Sequence, residues 1–392
     1  MIVVADALKF IDEHTGLGPK IKKSLADVYG HVLAENVFTP MNMPPFRQSS
    51  MDGYALRWSD NKTYKMVGEV QAGAAKNTAL QHGDAVRIFT GARVPDEADT
   101  VIIQEHTSRD EDVLNIDKMP VMGSNIRPVG EQVQLGDLVL EEGKFLNEAA
   151  IGFLAGLGFE EIPVYEPPKV GILVTGNELQ QPGKPLEEGQ IYESNAITLQ
   201  MALKRTGING VTIERVGDDL KETIKAVEKL LKNSDLVLIS GGISVGDYDY
   251  VQEALQKNGV QEVFYKVNQK PGKPLWFGTQ GKKIVFALPG NPGSSLTCFY
   301  VYVWPALRKL RGVKSYQNKE KTATLQTTIK NPFGKVLFLK ATVSKNEAKL
   351  MGVQASSMLK SFATCNALLI VPAEIEEMNP GEEIKYIALD QL

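Results

Sequence analysis

Apolar residues at Val4, Leu8 and Ile11, and again at Ile21, Leu25, Val28 and Leu33, recur at helical spacing, so the first stretch of chain predicts two short helices. From about Tyr64 to Leu140 the pattern shortens into apolar runs such as AVRIF and TVIIQEH, cut by Gly, Pro and Asp, which predicts a separate β-rich lobe. Helical spacing returns between Asn147 and Gly158 through Ala150, Ile151, Leu154 and Leu157. Pro163, Pro167 and Pro168 then punctuate the chain, and a domain boundary is expected near Pro167.

From Lys169 onward strand and helix patterns alternate. VGILV, a helix around Ala196 to Lys204, VTIERV, an amphipathic Leu220 to Lys232, DLVLIS and Tyr250 to Gln256 are followed by KKIVFAL and a helix from about Ser294 to Arg311. Such alternation predicts a parallel sheet with helices on both faces. After Gly312 the runs TATLQTTI, KVLFLKATV, NALLIVP and EEIKYIAL predict a small barrel or sandwich. The fold class read from the pattern is multidomain α/β plus β.

Composition narrows the picture. At 392 residues with 43% hydrophobic residues, the chain has room for two to four cored domains and excludes a disordered or fibrous protein. With 43 Lys and Arg against 47 Asp and Glu, the net charge of -4 argues against a dedicated nucleic-acid binder, so an anionic ligand has to be met locally. The longest uncharged run, Ile284 to Leu307, is interrupted by Pro289, Gly290, Asn291, Pro292 and Gly293, which argues against a membrane span. Asp6, Lys9 and Asp12 break the N-terminal apolar pattern where a signal peptide needs it unbroken, and a cytoplasmic protein is expected. The two cysteines, Cys298 and Cys365, fit no zinc spacing and read as small buried hydrophobes, and the four histidines show no metal-ligand or triad pattern.

In an open parallel sheet, ligands bind outside the carboxyl ends of the strands, where loops meet helix N-termini. Three loops fall there: Thr175-Gly176-Asn177-Glu178-Leu179, the run from Ser240 and Gly241-Gly242 through Ser244, Gly246 and Asp249, and Pro289-Gly290-Asn291-Pro292. Their glycines let the backbone approach a ligand and turn amides toward it, the way phosphate is held without large positive charge. A tight strand-to-helix turn explains a single glycine-rich loop at least as well, but Pro289 and Pro292 fix the path of the third loop, which reads as a shaped wall of a binding site. Glu178, Asp218 and Asp249 converge on the same edge and offer carboxylates to magnesium on a phosphate. Asp218 also reads as a helix N-cap, and Asp247 and Asp249 as first-turn acids. Lys270 and Lys273 flank a Pro-Gly turn and offer charge to an oxyanion, or form a solvated turn. The stretch from Met43 to Ala55 is apolar and without period, and is expected to pack against something, although Asp52-Gly53 is also a common turn pair.

Taken together these residues resemble the molybdopterin molybdenumtransferase family, the MoeA and gephyrin E-domain proteins. The resemblance rests on PPFRQSSMDGYA at 44–55, RIFTGARVP at 87–95, DTVIIQE at 99–105, VTGNEL at 174–179, ESN at 193–195, SGGISVGDYDY at 240–250, KPGKPLWFG at 270–278 and LPGNPGS at 288–294. It covers essentially the whole chain. It implies an elongated helical segment (1–45 and 141–167), a β-rich lobe (46–140), a doubly wound molybdopterin-binding α/β domain of the MoaB/Mog kind (168–312) and a C-terminal β-barrel (313–392). The implied reaction takes adenylyl-molybdopterin and, with magnesium, inserts molybdate and releases AMP.

By that resemblance Glu178, Asp218 and Asp249 hold magnesium, and Lys270 and Lys273 contact phosphate or the incoming oxyanion. Thr175, Gly176, Ser240, Gly241, Gly242, Ser244, Gly246, Asp249, Pro289, Gly290, Asn291 and Pro292 shape the pterin and nucleotide site. Asp52 and Thr90 complete it from the other subunit of a homodimer, Asp52 as the catalytic or metal-linked group. The implied partners are a molybdopterin adenylyltransferase upstream and apo-molybdoenzymes or their chaperones downstream, with no nucleic acid and no membrane. Arg47 departs from the family's usual acidic residue, and Ser356, Ser357 and Asn366 match polar positions of the barrel segment. Two alternatives keep the fold: the preceding adenylyl transfer, which the N-terminal signatures and the barrel argue against, and a non-catalytic scaffold.

Overall fold

A computed structural model describes residues 1–74, 78–243 and 250–389. The chain divides into two compact units, one of Met1–Ala34, Gly143–Asn147 and Ile162–Leu392, the other of Glu35–Glu142 and Glu148–Glu161.

The first unit is built on a six-stranded sheet in the order Val211–Val216, Val170–Thr175, Leu236–Ser240, Lys283–Leu288, Trp276–Gln280, Gln261–Tyr265. The first four strands run parallel, as the alternation of patterns predicts. Trp276–Gln280 alone runs the other way, antiparallel to both Lys283–Leu288 and Gln261–Tyr265, which corrects the all-parallel expectation. Only Gly281 and Lys282 separate Trp276–Gln280 from Lys283–Leu288, and a two-residue link can close a hairpin but cannot cross back to a parallel neighbour. Gly281 supplies the positive φ (60°) this turn needs.

Val170–Thr175 and Leu236–Ser240 are buried along their whole length, so they read as unbroken apolar runs. Ile172, Leu238 and Phe286 pack on one face with Leu199 and Leu203 of the helix Asn195–Arg205. Leu173, Val237 and Val285 pack on the other with Val227 and Leu230 of the helix Leu220–Asn233. A last helical run from Pro292 to Leu310 contains a π turn at Phe299–Val303. It begins two residues earlier than its apolar pattern suggests, because Pro292 suits the first helical turn, where a missing N–H costs nothing.

The N-terminus holds one helix, Val4–His14, and not two. Residues Lys20–Ser24 form a strand paired with Glu161–Tyr165, and only a 3-10 turn follows at Leu25–Asp27. Gly16, Gly18 and Pro19 stop the first helix from propagating, and strand pairing then overrides the helical spacing of Ile21, Leu25 and Val28. At the other end, Val336–Ser344, Glu347–Leu350, Glu320–Leu325, Glu383–Ala388 and Ala367–Val371 pair in that order, and the last strand pairs back to the first. The result is a closed five-stranded barrel around Leu325, Leu337, Leu369 and Ile384.

The second unit carries a six-stranded sheet ordered Thr100–Ile103, Gly53–Leu56, Asp84–Ile88, Thr63–Val70, Val113–Ile116, Thr107–Asp110. At Gly53 a Cβ would lie 1.8 Å from the Ile102 carbonyl oxygen, so only glycine lets these strands meet. Among the described residues, no helix is long and apolar enough to cross a membrane.

Candidate active site

Because Val170–Thr175, Leu236–Ser240 and Lys283–Leu288 are parallel, the loops that follow them leave the sheet on one edge, where they line a cleft of about 610 Å³. Thr175, Gly176, Glu178, Asp218, Ser240, Gly241, Gly242, Pro289, Gly290, Asn291 and Pro292 all line it, so the structure brings these expected site residues together. Ser244, Gly246 and Asp249 lie outside the described residues. Lys270 and Lys273 do not line the cleft, although Pro274 of the same turn does. The Lys270 ammonium rests 3.6 Å from the centre of the Phe333 ring, a cation–π contact toward the barrel.

The glycines are required by contact as well as conformation. Gly241 and Gly242 have positive φ, and a Cβ on either would come within 3 Å of Thr175 atoms. The Thr175 hydroxyl is itself buried and has no hydrogen-bond partner among the described residues. At Gly176 a Cβ would fall 2.5 Å from Oε2 of Glu178, whose side chain folds back over the loop.

The helix after VTIERVG is capped by Asp219, not Asp218: Oδ1 of Asp219 accepts the Glu222 amide at 2.8 Å. The N-cap reading of Asp218 is therefore corrected by one residue. Asp218 instead accepts the Asn177 amide on Oδ2 at 3.2 Å, while its own amide donates to Asn177 Oδ1 at 3.1 Å. This reciprocal pair ties the Glu178 loop to the Asp218 loop.

Two cleft residues were visible only as the family signature ESN and were given no role there. Asn195 donates from Nδ2 to Ser240 Oγ (2.8 Å) and to the Gly290 carbonyl (2.7 Å), joining two strand-end loops. Glu193, only 3% exposed, accepts the Ala196 amide on Oε1 at 2.7 Å. Nothing in spacing distinguishes them from ordinary residues opening a helix.

A segment of the barrel domain closes one side. Ser357 lines the cleft. The neighbouring Ser356 accepts from Asn291 Nδ2 on its hydroxyl (3.1 Å) and from the Ser294 amide on its carbonyl (3.1 Å). Lys340, buried in the barrel, donates to the carbonyls of Ala355 and Met358 on either side of the two serines, at 3.2 and 3.4 Å. Burial pushes its ammonium pKa down. Asn366, in contrast, is spent on the backbone of Val343.

In the second unit the structure joins Asp52 and Thr90. The Thr90 amide and hydroxyl both donate to Asp52 Oδ1, at 2.7 and 2.8 Å, and these two bonds hold the exposed carboxyl below the usual carboxylate range. Arg47 holds a neighbouring turn: its guanidinium donates to the carbonyls of Ala98, Pro95 and Asp96. The departure from the acidic family residue thus serves the backbone.

Magnesium needs near-octahedral oxygen donors and usually keeps several waters, binding through one or two carboxylates and substrate phosphate. No described group of three or more His, Cys, Asp or Glu residues forms a cage. Glu178 and Asp218 line the same cleft and are the carboxylates that would hold a magnesium ion there. The residues present fit that ion.

A Gly-rich, carboxylate-bearing cleft at the carboxyl edge of a doubly wound sheet, joined to a closed barrel and accompanied by a separate β unit, defines a multidomain α/β protein with a candidate small-molecule site. Three family models match in succession: the MoeA N-terminal region (domain I and II) over residues 2–158, a probable molybdopterin binding domain over 171–309, and the MoeA C-terminal region (domain IV) over 322–389. The chain is 35% identical over 371 residues to a molybdopterin molybdenumtransferase of Haemophilus influenzae, covering 92% of each. It is 32% identical over 398 residues to one of Staphylococcus epidermidis, covering 98% of this chain and 95% of that one. A crystal structure of a molybdopterin biosynthesis MoeA protein from Pyrococcus horikoshii superposes with a TM-score of 0.86 at 27% identity over 99% of both chains. The chain belongs to the molybdopterin molybdenumtransferase family.

Proposed function

We propose that this protein is a transferase of molybdenum cofactor biosynthesis that inserts molybdate into adenylylated molybdopterin and releases AMP. The carrying observation is the cleft in which Glu178, Asp218, Thr175 and the glycines of two strand-end loops face one volume, in a chain whose relatives share nearly its full length. Glu178 and Asp218 would hold a magnesium ion, which would supply positive charge to the substrate's phosphates when bound. The glycine loops present backbone amides to the same phosphates without adding net charge. Asn195 keeps two of these loops at fixed separation, and Ser357 with the Ser356–Asn291 tie closes the cleft from the barrel side. Lys270 and Lys273 do not line the cleft, and in this reading they would turn to the incoming oxyanion from the loop that carries Pro274; Asp249, outside the described residues, would join the metal set.

The reading includes a cytoplasmic homodimer in which Asp52 and Thr90 of one subunit complete the cleft of the other, with a molybdopterin adenylyltransferase as supplier and apo-molybdoenzymes as acceptors. Support for the shared site is chemical: Asp52 is an exposed carboxylate that the Thr90 hydrogen bonds favour in its ionised form, the form that meets a cation. Incubating the protein with adenylyl-molybdopterin, magnesium and molybdate, then reconstituting an apo-molybdoenzyme, tests the reading. Activity above the level given by free molybdate is expected, and none would reject it.

A further inference from the structure

Among the described residues, Glu193 is the one carboxylate in the cleft wall with a buried oxygen that meets no hydrogen-bond donor. Its side chain is 3% exposed, Oε1 is committed to the helix start at Ala196, and Oε2 is buried with no hydrogen-bond donor. Its nearest cation, the Arg215 guanidinium, stands at 3.8 Å, close enough to moderate the charge but too far to donate a hydrogen bond. An acceptor buried in this way is costly to leave unmet, and such exceptions in a folded protein call for a partner. Glu193 lines both the 610 Å³ cleft and a 300 Å³ pocket beside it that Arg215 also lines. Arg215 is 40% exposed, so its side chain has solvent to withdraw into when a better donor arrives.

We propose that Glu193 recognises the pterin ring of the substrate, its Oε2 accepting an N–H from the amino-pyrimidine edge. This rests on the transferase reading above, which puts a pterin in the cleft. A carboxylate oxygen with no other donor favours a ring that offers an amino group and rejects one that offers a carbonyl there, because the latter sets oxygen against oxygen. The charged groups at the phosphate end, Glu178 and Asp218, do not make this distinction. Glu193 thus acts in specificity and touches no phosphate.

The experiment measures fluorescence-detected binding of pterin, which carries a 2-amino group, and of lumazine, which carries a 2-oxo group instead, with AMP as a control. The wild type is expected to prefer pterin by roughly tenfold or more. In Glu193→Gln the amide oxygen can keep the Ala196 bond, which turns the new NH₂ toward the ligand and sets donor against donor. That variant should lose most of the preference while AMP affinity and melting temperature stay unchanged. A second variant, Arg215→Met, removes the competing cation and should tighten pterin binding. Retention of the preference in Glu193→Gln, absence of any preference in the wild type, or weaker pterin binding in Arg215→Met would each overturn the inference. If the wild type binds neither pterin nor AMP, the transferase reading itself fails.

Discussion

Asp218 and Asp219 are adjacent carboxylates to which the structure gives opposite duties, and exchanging their fates is a sharp test of the site. Asp219 accepts the Glu222 amide at 2.8 Å and caps the 14-residue helix Leu220–Asn233. Removing that oxygen in Asp219→Ala leaves a first-turn amide without its acceptor, at a cost of about 1 kcal/mol. For a domain of this size that corresponds to a fall of about 2–4 °C in Tm. Asp218 lines the cleft and, among the described residues, accepts the Asn177 amide alone, at 3.2 Å. Asp218→Asn can keep that acceptor, so stability should change by less than about 0.5 kcal/mol. It deletes the charge, however, and AMP release should fall by about 100-fold, the scale of removing one preorganised group from a catalytic site. Thermal melts read the first effect and AMP release from adenylyl-molybdopterin reads the second. Equal loss of activity in the two variants, or a larger fall in Tm for Asp218→Asn than for Asp219→Ala, would refute the division of roles.

Other expectations follow from single contacts. Asn195→Ala removes two hydrogen bonds worth about 1 kcal/mol each and should raise the Kd for adenylyl-molybdopterin by up to roughly thirtyfold; Asn195→Asp, which lacks the donors, should not rescue it, and wild-type binding in either variant would refute the tie. The Asp52 carboxyl is held below its ordinary range by Thr90, so the Asp52–Thr90 link is fully present above the ordinary carboxylate pKa and is lost as pH falls through the depressed one. In Thr90→Val an NMR titration of Asp52 should move up toward the usual value, and an unmoved midpoint would contradict the assignment. Gly53→Ala should destabilise the second unit by about 3 kcal/mol in denaturant unfolding, because its Cβ meets a backbone carbonyl; a neutral effect would show the strands to be further apart.

Much of the α/β unit was legible in the chain because its strands are buried on both faces and its helices carry one apolar stripe. Val170–Thr175 and Leu236–Ser240 are unbroken apolar runs, and Leu220–Asn233 repeats at helical spacing. The loops after those strands could then be placed on one edge, which is why Thr175, Glu178, Asp218 and Asn291 meet as expected. What pattern misread was governed by distant partners or short connections. Ile21 sits at helical spacing from Leu25, yet its backbone pairs with a strand some 140 residues away. The antiparallel Trp276–Gln280 depended on a two-residue turn that apolar periodicity does not report. Asp218 and Asp219 both suit an N-cap by type, and only backbone geometry chose between them. Glu193 and Asn195 owe their importance to what their side chains reach, Asn195 to loops 45 and 95 residues on, and spacing carries no trace of that.

The central claim is that this chain releases AMP from the phosphoanhydride of adenylyl-molybdopterin and places molybdenum on the pterin's dithiolene sulfurs. Its most direct test is AMP release from adenylyl-molybdopterin in the presence of magnesium, with and without molybdate, beside an assay for finished cofactor. The account predicts AMP release accompanied by cofactor that forms only when molybdate is supplied. No AMP release, with adenylylation of free molybdopterin from ATP in its place, would contradict it.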